Sequence, residues 1–173
     1  MLVESLIDLG ARALKEDSRN KCSISQVESD LNITFTDAYK SVLKGFDSSI
    51  VFDYGAVYKP AQKSPVDTYD GFQSLEILYG LQGDSNLVNK NKMYKEQIPD
   101  DCVVIGESIG GSQICISRRS GKIYFWFHEA EFEDNSLFEI AESVDDFIKG
   151  LVRDDMNNSG KREIDESGSF LDF

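Results

Sequence analysis

The sequence predicts a domain of mixed α and β structure, and three regions carry this prediction. Apolar residues recur at helical spacing in residues 36–46, "TDAYKSVLKGF", and again in residues 143–151, "SVDDFIKGL". Between them, residues 102–128 hold three short apolar or aromatic runs separated by glycine-bearing turns, which is typical of neighbouring strands. A chain of 173 residues is long enough for one domain with its own core.

The first sixteen residues are predicted to form an amphipathic helix packed on the domain. Their apolar residues recur at helical spacing, namely Leu2, Leu6, Leu9 and Ala13. Glu4 and Asp8 interrupt the stretch early and a basic start is missing, so a targeting segment is not predicted.

Capping residues mark the ends of three further helices. Ser25, with Glu28 three residues later, forms a capping-box pattern that opens a short helix, and Asn32 is expected to stop it. Thr36 is expected to cap the helix over residues 36–46. Ser143, with an acidic residue three positions on, is expected to cap the last helix.

Strands are predicted from runs of β-branched and aromatic residues. Residues 50–58 and 72–79 each predict one strand, and a polar helix follows over residues 85–97. The best-defined β region contains "CVVIGES", "SQICISR" and "KIYFWFH", and "SLFEIA" adds an edge strand. Both faces of "KIYFWFH" are largely apolar or aromatic, which predicts a strand near the centre of the sheet.

The glycines of this region are predicted to turn the chain. A phosphate-binding loop needs a strand, a glycine-rich turn and then a helix whose N terminus meets the anion. The residues after Gly110 and Gly111 alternate like a strand, and no Lys-Ser or Lys-Thr pair follows. We therefore predict structural turns at Gly110–Gly111 and at Gly121, without a bound phosphate.

Neither a catalytic centre nor a metal site is predicted. Cys115 and His128, the single histidine, could form a nucleophile–base pair, but no activating basic cluster surrounds Cys115. Glu129, Glu131 and Glu133 would share one face if the strand continued. Two-histidine and EF-hand spacings are missing, so a solvated acidic strand end is favoured and no cofactor is expected.

The composition restricts the class of partner. Asp and Glu number 31 against 18 Lys and Arg, giving a formal charge of −13. Such a chain is expected to bind nucleic acid poorly and to attract a basic partner, although the charge could also serve solubility alone. No apolar run approaches the roughly 18 residues of a membrane span. Three separated cysteines without metal or disulfide spacing predict a reduced, cytoplasmic setting.

One stretch is unusually acidic. Residues 123–148 contain no Lys or Arg. They contain eight acidic residues: Glu129, Glu131, Glu133, Asp134, Glu139, Glu142, Asp145 and Asp146. Such charges repel one another unless a partner or solvent screens them. Beside exposed aromatic residues such as Tyr124 or Trp126, this patch would suit a basic protein surface, and a merely solubilising edge is the alternative.

The order of these segments resembles the SUKH superfamily, the group of the fungal Smi–Knr cell-wall-synthesis regulators and many bacterial toxin-immunity proteins. The resemblance is best over residues 98–148, through "VVIGESIGGSQICIS", the Gly121 turn, "KIYFWFHE" and "IAESVDDFI". The helix "TDAYKSVL" is similar to the family's early tyrosine-bearing helix. Thr36 stands near where members usually carry a proline, and Lys44–Asp47 replaces their Asn-Gly-Gly.

The resemblance implies an α+β fold, with a mixed, mostly antiparallel sheet flanked by helices, and no enzymatic site. In bacterial members it implies an immunity protein that neutralises a toxin, often a nuclease, and a regulatory scaffold is the alternative. The partner-binding residues expected on this basis are Trp126, His128, Glu129, Glu131, Glu133, Asp134, Glu142, Asp145 and Asp146. Residues 1–153 are predicted to form the domain and residues 154–173 a mobile tail. A monomer and a homodimer are both compatible with the sequence.

Overall fold

An open antiparallel sheet organises the fold. A computed structural model describes residues 1–15, 19–65, 70–129 and 136–154. The strands in these ranges are β1 (Ala11–Ala13), β2 (Ile50–Phe52), β3 (Ala56–Tyr58), β4 (Gln73–Leu78), β5 (Cys102–Ser108), β6 (Gln113–Ser117), β7 (Ile123–Trp126), β8 (Leu137–Ala141) and β9 (Val152–Arg153). Their order is β1-β2-β4-β5-β6-β7-β8, with β3 pairing β4 and β9 pairing β3. Every pairing between these strands is antiparallel.

Helices flank this sheet in two groups. The helices in the described ranges are α1 (Leu2–Asp8), α2 (Ile24–Leu31), α3 (Asp37–Phe46), α4 (Leu87–Tyr94) and α5 (Val144–Lys149). Helices α1, α3 and α5 pack against one another, whereas α4 packs on β5 and contacts α2. None of them combines the length and apolar character of a membrane-crossing helix. The predicted α+β fold with a mostly antiparallel sheet is confirmed.

The core lies where β5, β6 and β7 run side by side. Val103, Ile105 and Ile114 are fully buried. In β7, Ile123 and Phe125 are also fully buried. The prediction of three apolar strands in this region is therefore confirmed. The prediction that β7 lies near the centre of the sheet is wrong, because only the edge strand β8 lies beyond it and β5 is the middle strand of the seven-strand order.

Three of the four predicted helix-boundary residues are confirmed. The hydroxyls of Thr36 and Ser143 accept hydrogen bonds from backbone N–H groups at 3.2 Å and 3.0 Å. Asn32 ends α2 in the left-handed conformation, with φ of 51°. The capping box at Ser25 is wrong: Ser23 caps α2, accepting from the Gln26 N–H at 3.1 Å.

The Glu28 carboxylate does not fold back onto the start of α2, as a capping box would require. It instead accepts a hydrogen bond of 2.8 Å from the Phe35 N–H and lies 3.6 Å from the Lys40 ammonium. Glu28 therefore ties α2 to the start and first turns of α3.

Two predicted elements are divided by glycine turns. The helix predicted over residues 1–16 ends at Asp8, because Gly10 turns the chain with φ of +89°. Ala13, expected on the buried helix face, then lies exposed in β1. The strand predicted over residues 50–58 is two strands, β2 and β3, separated by a turn at Gly55 with φ of +73°.

Candidate partner-binding surface

The structure places the predicted partner-binding residues at two opposite ends of β7. Gln113 of β6 pairs with Trp126, so His128 and Glu129 lie at the end that carries the Gly110–Gly111 turn. Ala141 pairs with Ile123, so Glu142 and α5 follow at the other end. About 10 Å of strand separates the two ends. Glu131, Glu133 and Asp134 lie outside the described residues.

At the Glu142 end, a lysine partly neutralises the acidic stretch. The Lys122 ammonium lies 3.4 Å from the Glu139 carboxylate and 3.9 Å from that of Glu142. The hydrogen bond to Glu139 and the charges of both carboxylates raise the pKa of Lys122. The span 123–148 contains no cation of its own, and Lys122, which immediately precedes it, supplies the counter-charge for these two carboxylates.

Asp145 and Asp146 have local roles at the start of α5. The Thr36 hydroxyl donates to the Asp145 carboxylate at 2.7 Å, which ties α5 to the cap of α3. The Asp146 N–H donates to the Ser143 hydroxyl at 3.0 Å. Both carboxylates lie in the first helical turn, where the exposed N–H groups favour negative charge. Their role in partner binding stays a prediction.

At the other end, a buried glutamine holds the Gly110–Gly111 turn in place. The Gln113 side chain is fully buried, and its Nε2 donates to the Gly111 carbonyl at 2.9 Å and to the Tyr94 hydroxyl at 3.1 Å. Its Oε1 accepts from the Tyr79 hydroxyl at 2.6 Å. Gly110 and Gly111 have φ of +68° and +84°. The chain turns in this left-handed region here and again at Gly121, where φ is +76°.

His128 lies beside this turn and contacts the aromatic residue Trp126. Its Nδ1 lies 3.3 Å from the Ser112 hydroxyl, and its exposed ring packs at 6.4 Å from that of Trp126. Trp126 in turn meets Tyr94 edge-on at 5.8 Å. The expectation that Trp126 is exposed is wrong: only 4% of it is accessible, because α4 covers it through Tyr94.

Two acidic residues at this end were not among the predicted partner-binding residues. Glu76 is exposed in the β4 bulge, between residues that pair with Ser108 and Glu107. The Glu107 carboxylate lies 3.5 Å from the Tyr79 hydroxyl, and burial together with its charge raises the pKa of Tyr79 and of Tyr94. Both glutamates precede the acidic stretch by many residues, and only strand pairing reveals their position.

The turn end therefore carries Glu76, Glu107 and Glu129 around an exposed apolar residue. Ile109, in the turn itself, is 45% exposed. Among the described residues, none of the three carboxylates forms an ion pair. We call Glu76, Glu107, Ile109, His128 and Glu129 the turn-end surface.

The structure does not bring Cys115 and His128 together. Cys115 pairs with Tyr124, and His128 is four residues further along, about 13 Å in extended chain. The Cys115 thiol is fully buried and interacts with Cys102. No group of potential metal ligands occurs in the described part of the chain.

The fold is that of a small α+β protein built on one open antiparallel sheet. Residues 21–150 match the SMI1 / KNR4 family (SUKH-1). The chain is also 32% identical over 139 residues to the SPbeta prophage-derived uncharacterized protein YokK of Bacillus subtilis strain 168, covering 75% of this chain and 72% of YokK. The chain therefore belongs to the SMI1 / KNR4 family (SUKH-1).

Proposed function

We propose that the protein is an immunity protein, which binds and neutralises a cognate basic toxin domain, of the nuclease type, in the cytoplasm. It acts by binding rather than by catalysis. The turn-end surface carries this proposal, because it combines an exposed Ile109 with carboxylates from β4, from β5 and from the turn after β7, and none of these carboxylates forms an ion pair among the described residues. A basic partner would be attracted by the charges and held by the apolar contact.

The rigid support of this surface favours tight binding. Gln113 is fixed by three side-chain hydrogen bonds, and it holds the turn that bears Ile109. A surface that is already ordered loses less conformational entropy when a partner binds. The toxin's phosphate-binding cations would meet carboxylates instead of nucleic acid, which is how an acidic surface can block a nuclease.

Similarity to a bacterial relative favours this function over a regulatory scaffold. The resemblance implies an immunity role in bacterial members and a regulatory role in fungal members. The similar protein YokK is prophage-derived and bacterial. A bacterial setting therefore favours the toxin-binding alternative for this chain.

The proposal predicts that a toxin domain is encoded beside this gene, and calorimetry with that domain and assays of its activity test the proposal. We expect tight binding that weakens at high salt, and a Kd increased about tenfold or more by Glu76→Gln combined with Glu129→Gln. Ile109→Ala should also weaken binding. Asp8→Asn, an exposed charge change at the end of α1, is the matched control and should leave Kd unchanged.

Two results would change this conclusion. A Kd that is indifferent to Glu76, Glu129 and Ile109 but increased by Glu142→Gln would move the interface to the α5 end of the sheet. Failure to bind or inhibit any neighbouring toxin domain would favour a regulatory scaffold.

A further inference from the structure

A second feature lies away from the turn-end surface, between α2, α4 and the chain that leads into β5. It is a half-open cavity of about 500 Å³. Its apolar wall is formed by Leu31, Val88, Ile98 and Cys102. Leu31 and Val88 are each 7% exposed and Cys102 is 4% exposed, so these side chains belong to the core and present only an edge to the cavity.

The rim of this cavity is more basic than the rest of the protein. Lys92, Lys95 and Arg118 line it, against two acidic residues, Asp30 and Asp100. Within the described ranges, none of the three cations forms an ion pair. A local excess of cations is unexpected in a chain with a formal charge of −13.

Arg118 is held in place without being neutralised. Its Nε donates to the Leu31 carbonyl at 2.7 Å, and its Nη1 donates to the Asp100 carbonyl. Both acceptors are backbone carbonyls, so the guanidinium keeps its full charge and has donors left for a ligand. Lys92, in the last turn of α4, and Lys95, directly after α4, are exposed and line the cavity.

We propose that this cavity binds a small amphipathic carboxylate. The carboxylate would lie among Lys92, Lys95 and Arg118, and the apolar body would cover Leu31 and Val88. The volume is in the range of pockets that hold small molecules, and an apolar wall with a few charged groups at one side is their usual composition. This site is independent of the proposed toxin contact, because it uses other residues.

Four small probes distinguish the contribution of the ligand's negative charge from that of its apolar chain. Octanoate has the charge and the chain, octylammonium reverses the charge, octanol lacks it, and acetate lacks the chain. In titrations followed by ¹H–¹⁵N NMR, octanoate should shift the amide signals of Val88, Ile98 and Cys102 in a saturable manner. The other three should bind at least about fivefold more weakly, since each lacks one of the two contributions.

Two double variants identify the cations. Lys92→Gln with Lys95→Gln should weaken octanoate binding about fivefold to tenfold, and added salt should reduce the difference. Lys59→Gln with Lys63→Gln removes two exposed charges elsewhere and should leave binding unchanged. The proposal is overturned if octylammonium binds as well as octanoate, if the Lys92/Lys95 variant binds normally, or if octanoate shifts no signal at this cavity.

Discussion

The side chain of Asn91 pairs with the backbone of Val104 as a neighbouring strand would. Its Nδ2 donates to the Val104 carbonyl at 3.0 Å, and its Oδ1 accepts from the Val104 N–H at 2.9 Å. Val104 adjoins the irregularity where β5 shifts register against β6. Asn91 therefore satisfies both backbone groups there and fixes α4 on the sheet.

Replacing Asn91 by Ala should destabilise the protein by about 2 kcal/mol or more. The substitution leaves the N–H and carbonyl of Val104, which is fully buried, without these partners, and each unsatisfied group costs about 1–3 kcal/mol. Urea unfolding followed by circular dichroism measures the change. Asn89→Ala in the same helix removes only a 3.4 Å bond to the Asp84 carbonyl and is the matched control. Equal losses for the two variants would contradict this account of Asn91.

Replacing Gly80 by Ala should destabilise the protein by about 3 kcal/mol or more. A Cβ at Gly80 would lie 2.3 Å from the Ser48 carbonyl carbon and 2.4 Å from its oxygen. These are backbone atoms that cannot move aside, because the neighbouring Leu81 N–H is bonded to the Asp47 carbonyl at 2.7 Å. The measurement is the midpoint of thermal unfolding.

A second glycine provides the control for Gly80. At Gly45, inside α3, a Cβ would meet only the Val3 side chain, at 3.4 Å. Gly45→Ala should leave the stability unchanged or increase it by up to about 1 kcal/mol, the difference in helix propensity between Gly and Ala. The midpoint of thermal unfolding should therefore stay the same or rise. If both alanine variants had the same effect, the close approach of residues 48 and 80 would not be a constraint on the fold.

The helices and strands were largely predictable because their signals are local. Thr36 and Ser143 cap helices through hydrogen bonds that span three residues. The apolar run "CVVIGES" predicts a buried strand, and six of the seven residues of β5 are buried. The errors also have local causes. Ser23 and Ser25 are both of a residue type that favours the N-cap, so the local signal does not choose between them.

The site was less predictable, because its geometry depends on strand pairing. The acidic stretch is continuous in sequence, but β7 places Glu129 and Glu142 at opposite ends of the sheet. Glu76 and Glu107 join Glu129 only because β4 and β5 are adjacent. Trp126 is buried by Tyr94, which comes from a helix more than thirty residues earlier.

Asp101 should stabilise the protein at neutral pH and lose this effect in acid. Its carboxylate accepts hydrogen bonds from the Ser117 hydroxyl and from the Arg119 N–H, and lies 3.4 Å from the Arg119 guanidinium. Burial raises the pKa of Asp101, but these bonds and the Arg119 charge together outweigh it, so the pKa is lowered below 3.8. A carboxylate whose pKa is lowered in the folded state stabilises the folded protein at any pH above its unfolded-state pKa. This stabilisation is lost as the pH falls through the folded-state pKa.

The variant that tests this pH dependence is Asp101→Asn. It should reduce the free energy of unfolding by about 1 kcal/mol at pH 7, a modest value because the group is partly exposed. The difference from the wild type should shrink as the pH falls below about 3.8, where Asp101 of the unfolded chain begins to bind a proton, and the charge contribution should be lost below the lower folded-state pKa. Urea unfolding at pH 7 and pH 3 measures both values, and a difference that stayed constant would exclude a role for the charge.

Only one of the three thiols should react in the folded protein. Cys102 and Cys115 are 4% and 0% exposed, whereas Cys22 is half-buried. Burial and the Asp30 charge raise the pKa of Cys22, so its reaction at pH 7 should be slow. Titration with a disulfide reagent should give one equivalent in buffer and three in urea, and Cys22→Ser should abolish the first. Reaction of Cys115 in the folded state would show that β6 opens, and would revive the Cys115–His128 pair as a reactive centre.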